Sequence, residues 1–517
     1  MKTVTAFFLI LSLLVLVGLT AQAGEIKSAG VKGNWSASAT WVGGAVPGAA
    51  DNVTIADGDS VMLDASGMKC NNLTVGEGVS GVLLTVKTAT IDITVNGNIT
   101  IKTGGTFKVQ TISTTGSTGV AHTLNLAGNL TNNGGTLDFR NGTSGGNLAV
   151  MNLTLSGTTI STLNVPYVSS SNGEFNYITI NKTAPGKVVL ASDIITAGGS
   201  STGLAAANSG MNFQSGIVET GNFKLVYQGT TAAQVIGGSA TSYVTGSFGR
   251  GMSSSGGSSK DFLVGDADGY KPLNLRSTTA GSATGHLAIV KCIRANANTG
   301  TSVLSGGIDK VSAVRYYQVS YDFVIGASVA PNMSFDRFRP TYGIDDGIGV
   351  GNTDLRLAYS TDNRVTWIGI PQAAPDTTRP PARFNADSVA TPITLNTGSS
   401  MHIALARATG TTTNSLVYTA TKVEQLSNVP TSFTLQQNYP NPFNPSTTIK
   451  FQIAKAGFVT LKVFDMLGRE VSTLLNQQLE VGTYQSKWDA SGYASGMYLY
   501  TLQQGSSIET RKLLLVK

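Results

Sequence analysis

From Asn52 to Val165 the chain alternates apolar and polar positions in runs of three to five residues, each closed by Gly, Asn or Asp. Asn52-Val-Thr-Ile55, Asn72-Leu-Thr-Val75, Ile93-Thr-Val95, Asn98-Ile-Thr-Ile101, Thr123-Leu-Asn-Leu126 and Thr162-Leu-Asn-Val165 are typical. A period of two places every second side chain on one face, so each run predicts a short half-buried strand. The runs also repeat: Gly97-Asn-Ile-Thr100 recurs as Gly128-Asn-Leu-Thr131, and Gly104-Gly-Thr-Phe107 as Gly134-Gly-Thr-Leu137. Strands this short, repeating about every 30 residues, predict stacked coils of a right-handed parallel β-helix over residues 24–166. Asn at the corners is placed to hydrogen-bond between coils, and Trp35 and Trp41 are placed to close the first one.

Beyond residue 166 the strands lengthen and the loops grow. Residues 167–407 predict a β-sandwich region, with Gly210 to Tyr227 read as a hairpin. Residues 408–430, rich in Thr, Asn and Ser, read as a linker. From 431 to 517, six or seven alternating strands separated by Gly and Asn turns predict a small antiparallel sandwich. Its Pro-rich entry, Asn438-Tyr-Pro-Asn-Pro-Phe-Asn-Pro445, cannot donate to a central ladder and reads as an extended edge. The fold class expected is all-β throughout.

The first 23 residues break the pattern. Lys2, an apolar run from Ala6 to Val17 and the small-residue ending Ala21-Gln-Ala23 read as a signal peptide, with cleavage between Ala23 and Gly24. The run is shorter than a spanning helix needs, and no later segment predicts a transmembrane helix. Export favours an oxidising compartment, yet Cys70 and Cys292 are so far apart in the chain that two separately buried thiols are expected rather than a disulfide.

Composition narrows the function classes. Charged residues are 12% of the 517, about half the usual share, with a net charge of +6. No basic stripe interleaved with aromatics occurs, so no nucleic-acid partner is expected. Three His without metal-ligand spacing and no nucleophile elbow or phosphate loop leave few catalytic candidates. A glycan-cleaving β-helix would need clustered carboxylates. Asp92 and Asp138 lie in the coils and Asp57, Asp59 and Asp64 near the cap, with Arg140 or Lys102 as basic partners. Turn formation accounts for Asp57 and Asp59 without catalysis. Asp266 and Asp268, and more weakly Asp345 and Asp346, resemble fragments of calcium loops but lack the distal Glu, so no cofactor is expected, with calcium the one alternative left open. Tyr316, Tyr317, Tyr342 and Trp367 are either core residues or sugar-stacking platforms.

The C-terminal stretch resembles the sorting domain of type IX secretion cargo of the Bacteroidetes. The resemblance rests on Asn438, Tyr439, Pro440, Asn441 and Pro442, on Gly482 and Tyr484, on Gly496 and Tyr498, and on the terminal Lys517. It implies recognition by a dedicated translocon, passage through the periplasm to the outer surface or medium, and removal of the domain on the way. The opening from Gly33 to Gly58 is similar to the start of β-helical regions in secreted bacterial surface proteins, and the central region to that of other type IX cargo. Neither resemblance names an activity; the Thr/Asn-rich solenoid face, the low charge and the lack of a marked carboxylate cluster point to a non-catalytic secreted or surface protein serving adhesion, glycan binding or structure. A β-helix polysaccharide lyase or glycoside hydrolase, and a subunit of an extracellular assembly, remain open.

Overall fold

A computed structural model describes residues 24–85, 89–110, 120–140, 149–198, 209–230, 234–253, 257, 259–278, 285–323, 332–342, 346, 348, 354–370, 375–376, 382–384, 391–411, 416, 424–427, 432–479 and 481–516. The signal segment with Ala21 and Ala23, most of the 408–430 linker, Asp345 and Lys517 lie outside these residues. The chain divides into two compact units. The first runs to Ile293 and adds Tyr317–Thr341 and Ala386–His402; the second holds Arg294–Tyr316, Tyr342–Asn385 and Ile403–Lys517.

The first unit is built on a parallel β-solenoid with three sheets. The chain visits them in fixed order, as in Asn52–Ile55, Ser60–Leu63 and Met68–Cys70, before Leu73–Val75 begins the next coil. The first sheet stacks Glu25–Lys27 on Asn52–Ile55, Leu73–Val75, Ile99–Lys102, Leu130–Asn133 and Ser161–Asn164. The second runs Lys32–Asn34, Ser60–Leu63, Gly81–Thr85, Gly105–Lys108, Thr136–Asp138. The third has seven strands, from Met68–Cys70 through Asp92–Val95, Val120–Leu126, Ala149–Leu155, Tyr177–Asn181 and Gly210–Ser215 to Val235–Gly237.

Parallel register puts like residues over like. Val53, Leu73, Ile99, Leu130 and Leu163 form one inward column, and Met68, Ile93, Leu124, Leu153, Ile178 and Met211 another. All are buried. Each contributes about 1.5–3 kcal/mol by leaving water, which is how coils with three-residue strands hold together. Phe107, Phe139 and Phe175 stack edge to face at 5.0 and 6.0 Å. The corners carry the expected asparagines: Asn72, Asn98 and Asn129 each turn a side-chain oxygen to the backbone N–H of Asn98, Asn129 and Thr162 in the next coil, at 2.7–2.9 Å. Gly105 makes another corner, where a Cβ would lie 2.2 Å from the Val75 carbonyl oxygen. Trp35 and Trp41 pack edge to face at 5.0 Å at the first coil, with the Trp41 indole N–H donating to the Trp35 carbonyl.

The coils expected over residues 24–166 continue further along the chain. Val188–Leu190, Val218–Tyr227, Val244–Met252 and Val264–Asp266 extend the first sheet, all in parallel. The hairpin read at 210–227 is corrected by this register. Gly210–Ser215 and Val218–Tyr227 belong to different sheets, and Gly216, at φ +96°, turns the corner between them. Antiparallel strands join where His286–Ile293 lies along Val244–Met252 and Gly269–Tyr270 along Val264–Asp266. Leu273–Ser277 pairs antiparallel with Ser259–Phe262 and Asn332–Tyr342, and Ile393–Asn396 with the latter.

In the second unit, Thr366–Ile370 lies between Val303–Ser305 and Leu355–Ser360. Two four-stranded antiparallel sheets close its C-terminal part. One holds Ser446–Ile453 and Gly482–Asp489; the other orders Glu470–Leu479, Gly457–Asp465, Gly496–Gln504 and Ser507–Leu515. Their shared core, from Leu435 to Leu515, is drawn from this domain alone.

Candidate functional site

The carboxylates proposed for glycan chemistry are mostly corner fastenings. Asp57 accepts the backbone N–H of Glu77, Val79 and Ser80 at 2.8–3.2 Å, and these bonds, Glu77's foremost, hold its carboxyl below the ordinary range. Asp59 accepts the Ser28 hydroxyl and, at 3.1 Å, the Gly30 N–H. Asp64 accepts Ser36 N–H at 3.0 Å, and Asp92 accepts Gly67 N–H at 3.2 Å. Each ties one coil to the next.

Asp138 and Arg140 differ. Asp138 accepts the Arg140 backbone N–H at 3.3 Å, while the Arg140 guanidinium forms an ion pair with Glu174. Glu174 is buried, and desolvation raises its pKa against the opposing pull of Arg140. Tyr167, whose own pKa is raised by burial and then by Glu174, lies within their electrostatic reach. Sequence reading missed Glu174. The signal was present, because 34 residues separate it from Arg140, about one coil of the repeat.

Asp266 and Asp268 form a closed turn: Asp266 Oδ1 accepts the Asp268 N–H at 2.9 Å, and Cys292 Sγ donates to Asp266 Oδ2 at 3.7 Å. Among the described residues no three His, Cys, Asp or Glu are grouped to hold a metal. The histidines lie apart, with His122 Nδ1 accepting Ile91 N–H at 3.2 Å and His286 Nδ1 2.9 Å from the Tyr321 hydroxyl. Tyr316, Tyr317, Tyr342 and Trp367 are all buried, so they pack the core and offer no sugar platform. Cys70 and Cys292 are buried thiols not joined in a disulfide, and burial pushes the Cys70 thiol up to about 12.

The outer faces of the solenoid present a different chemistry. On the seven-stranded sheet the register places Thr94, Asn125, Thr154, Thr179 and Asn212 in one outward column over five coils, between Lys69 on the first strand and Ile236 on the last. Beside it run Asp92, Thr123 and Asn152. Among the described residues none of the five side chains in the first column has a hydrogen-bond partner within the chain. Strand spacing repeats this uncharged donor–acceptor group about every 4.8 Å. Thr54, Thr74, Thr100, Thr131 and Asn164 form a similar column on the first sheet.

At the C-terminus the motif residues pin the Pro-rich entry onto the final strands. The Asn438 amide donates to Pro440 O at 3.0 Å and Thr447 Oγ1 at 2.9 Å, and Asn441 Oδ1 accepts Leu514 N–H at 2.9 Å. The Tyr500 hydroxyl donates to Gln436 O at 2.7 Å and accepts Asn438 N–H at 2.9 Å. Gly482 pairs with Ile453, Tyr484 stacks on Phe451 at 5.6 Å, and Tyr498 packs on Trp488 at 5.6 Å. Gly496 opens the strand that carries Tyr498, and Tyr439 is 82% exposed.

Residues 437–517 match the family described as the secretion system C-terminal sorting domain. No curated protein matches the chain. The domain marks the chain as type IX secretion cargo, carried to the cell surface or the extracellular space.

Proposed function

We propose that this type IX cargo is a non-catalytic surface or released protein that binds a neutral polysaccharide along its solenoid. The observation that carries the reading is the outward column Thr94, Asn125, Thr154, Thr179 and Asn212, uncharged and without partners among the described residues. An extended polymer lying along the solenoid axis meets one such group per coil, and many weak contacts then act as one. The low charge of the chain suits a neutral polymer better than an acidic one.

One observation favours a second reading, polysaccharide cleavage: the buried Glu174 paired with Arg140 beside Tyr167. The two readings separate in one assay, in which the purified chain lacking residues 1–23 is mixed with a polysaccharide panel and both retention and chain shortening are scored. Retention without shortening is expected. Thr154→Val with Thr179→Val keeps the strands and removes two hydroxyls, each worth about 0.5–1.5 kcal/mol. Affinity should fall about fivefold or more. Shortening that Glu174→Gln abolishes would instead establish the enzyme. Neither retention nor shortening, with self-association in sedimentation, would establish an assembly subunit.

A further inference from the structure

The sorting motif leaves open which groups are touched by the machinery that reads it. The side chains of Asn438, Asn441, Tyr484 and Tyr498 are engaged within the domain, in the hydrogen bonds and ring contacts given above. They act as a frame. Recognition needs accessible groups, and the frame holds a set of them in place at one end of the final sheet.

On the outer face of that sheet Met497 lies opposite Leu514, and Phe464 opposite Leu499. Met497 is 43% and Leu514 37% exposed, with the rest of the chain present. The adjoining turn carries Met466 and Leu467, 58% and 79% exposed. It is a fixed turn: Asp465 Oδ1 accepts the N–H of Leu467 and Arg469 at 2.9 and 3.0 Å, and Arg469 Nε donates to Asp465 Oδ2 at 2.7 Å. Lys512, opposite Leu499, stands at the rim as an exposed cation, while Arg469 is paired with Asp465. Six apolar side chains held together on a rigid frame, with an exposed lysine at the rim, are characteristic of a binding surface rather than of scattered surface residues.

We propose that this apolar end of the sheet, centred on Met497 and Leu514 and including the Met466–Leu467 turn, is the surface by which the secretion machinery takes hold of the cargo. The partner surface is a protein patch with an apolar centre and a carboxylate placed to meet Lys512. The inference rests on the sorting-domain assignment. The Asn441 bond to Leu514 N–H explains why the motif matters to it: the Pro-rich entry fixes the strand that carries the apolar face.

The test is secretion of the full chain in a bacterium with its own type IX system, comparing surface and medium with periplasm. Met497→Ser with Leu514→Ser should cut export at least tenfold and leave folded, protease-resistant protein in the periplasm. Phe458 and Ile508, 54% and 58% exposed at the other end of the same face, provide the control. Phe458→Ser with Ile508→Ser should export normally. Leu467→Ser, in a turn whose side chain is nearly free in solvent, checks the result without risk to the core. Normal export of both Met497→Ser/Leu514→Ser and Leu467→Ser would overturn the proposal, as would equal loss in the Phe458→Ser/Ile508→Ser control. Normal export of a chain lacking residues 431–517 would instead overturn the sorting assignment beneath it.

Discussion

Burial sets the chemistry of Lys182. Its ammonium donates to Ala127 O at 2.8 Å and to Ser156 O, reaching carbonyls of two earlier coils, and desolvation brings its pKa down from 10.5 to about 8. The unfolded chain keeps this proton up to about pH 10.5 and the folded chain releases it near 8. Between those values the unfolded state binds more protons, so stability rises with pH, while below 8 the full cost of the buried charge is present. Lys182→Met should remove its share of that rise, as read from melting temperatures at pH 7.5 to 10.5, and leave the share of Lys260, which burial also lowers to about 8. A variant whose melting temperature climbs as steeply as the parent's would show that another group is responsible. At this scale the sequence was partly legible. Trp35, Trp41 and the two separate thiols declare themselves by residue type and spacing. Glu174 does not, because its partner Arg140 is a neighbour only through coil register.

Single strands follow from period-two alternation, and corners from Gly and Asn. The paired motifs at Gly104–Phe107 and Gly134–Leu137 mark equivalent positions, where Gly105 and Gly135 both pass close to the backbone of an earlier strand. Gly105→Ala forces a Cβ to within 2.2 Å of Val75 O and should cost several kcal/mol. Gly58→Ala meets nothing within 4 Å and should cost only about 1 kcal/mol for its φ of +84°. Equal melting temperatures for the two variants would refute this account of the corners. What alternation did not reveal was which strands pair. Longer strands with larger loops suit a hairpin and a lengthened coil equally, and at 210–227 only Gly216 turning between sheets decides it.

In the whole molecule, the solenoid extends past residue 166 to Asp266 because inward columns continue through Val188, Val218, Val244 and Val264 even as the loops lengthen. The sorting domain keeps a separate core. Removing residues 431–517 should therefore leave the melting temperature of the solenoid transition unchanged, as calorimetry of the two chains would show; a shift of several degrees would mean the core is shared. Its presence was legible in the sequence because its turns carry fixed motifs, whereas the solenoid's upper end carries none. The coil-by-coil hydrogen bonding has a mechanical consequence. Each coil is fastened chiefly to its neighbours, so a pull on the two ends of the solenoid meets the coils in succession rather than all at once. The offset per coil ranges from 20 residues, Val53 to Leu73, to 33, Leu130 to Leu163. Each released coil thus pays out about 70–110 Å of chain. An exported protein built this way yields in steps under shear, lengthening while most of its outward Thr and Asn columns stay intact.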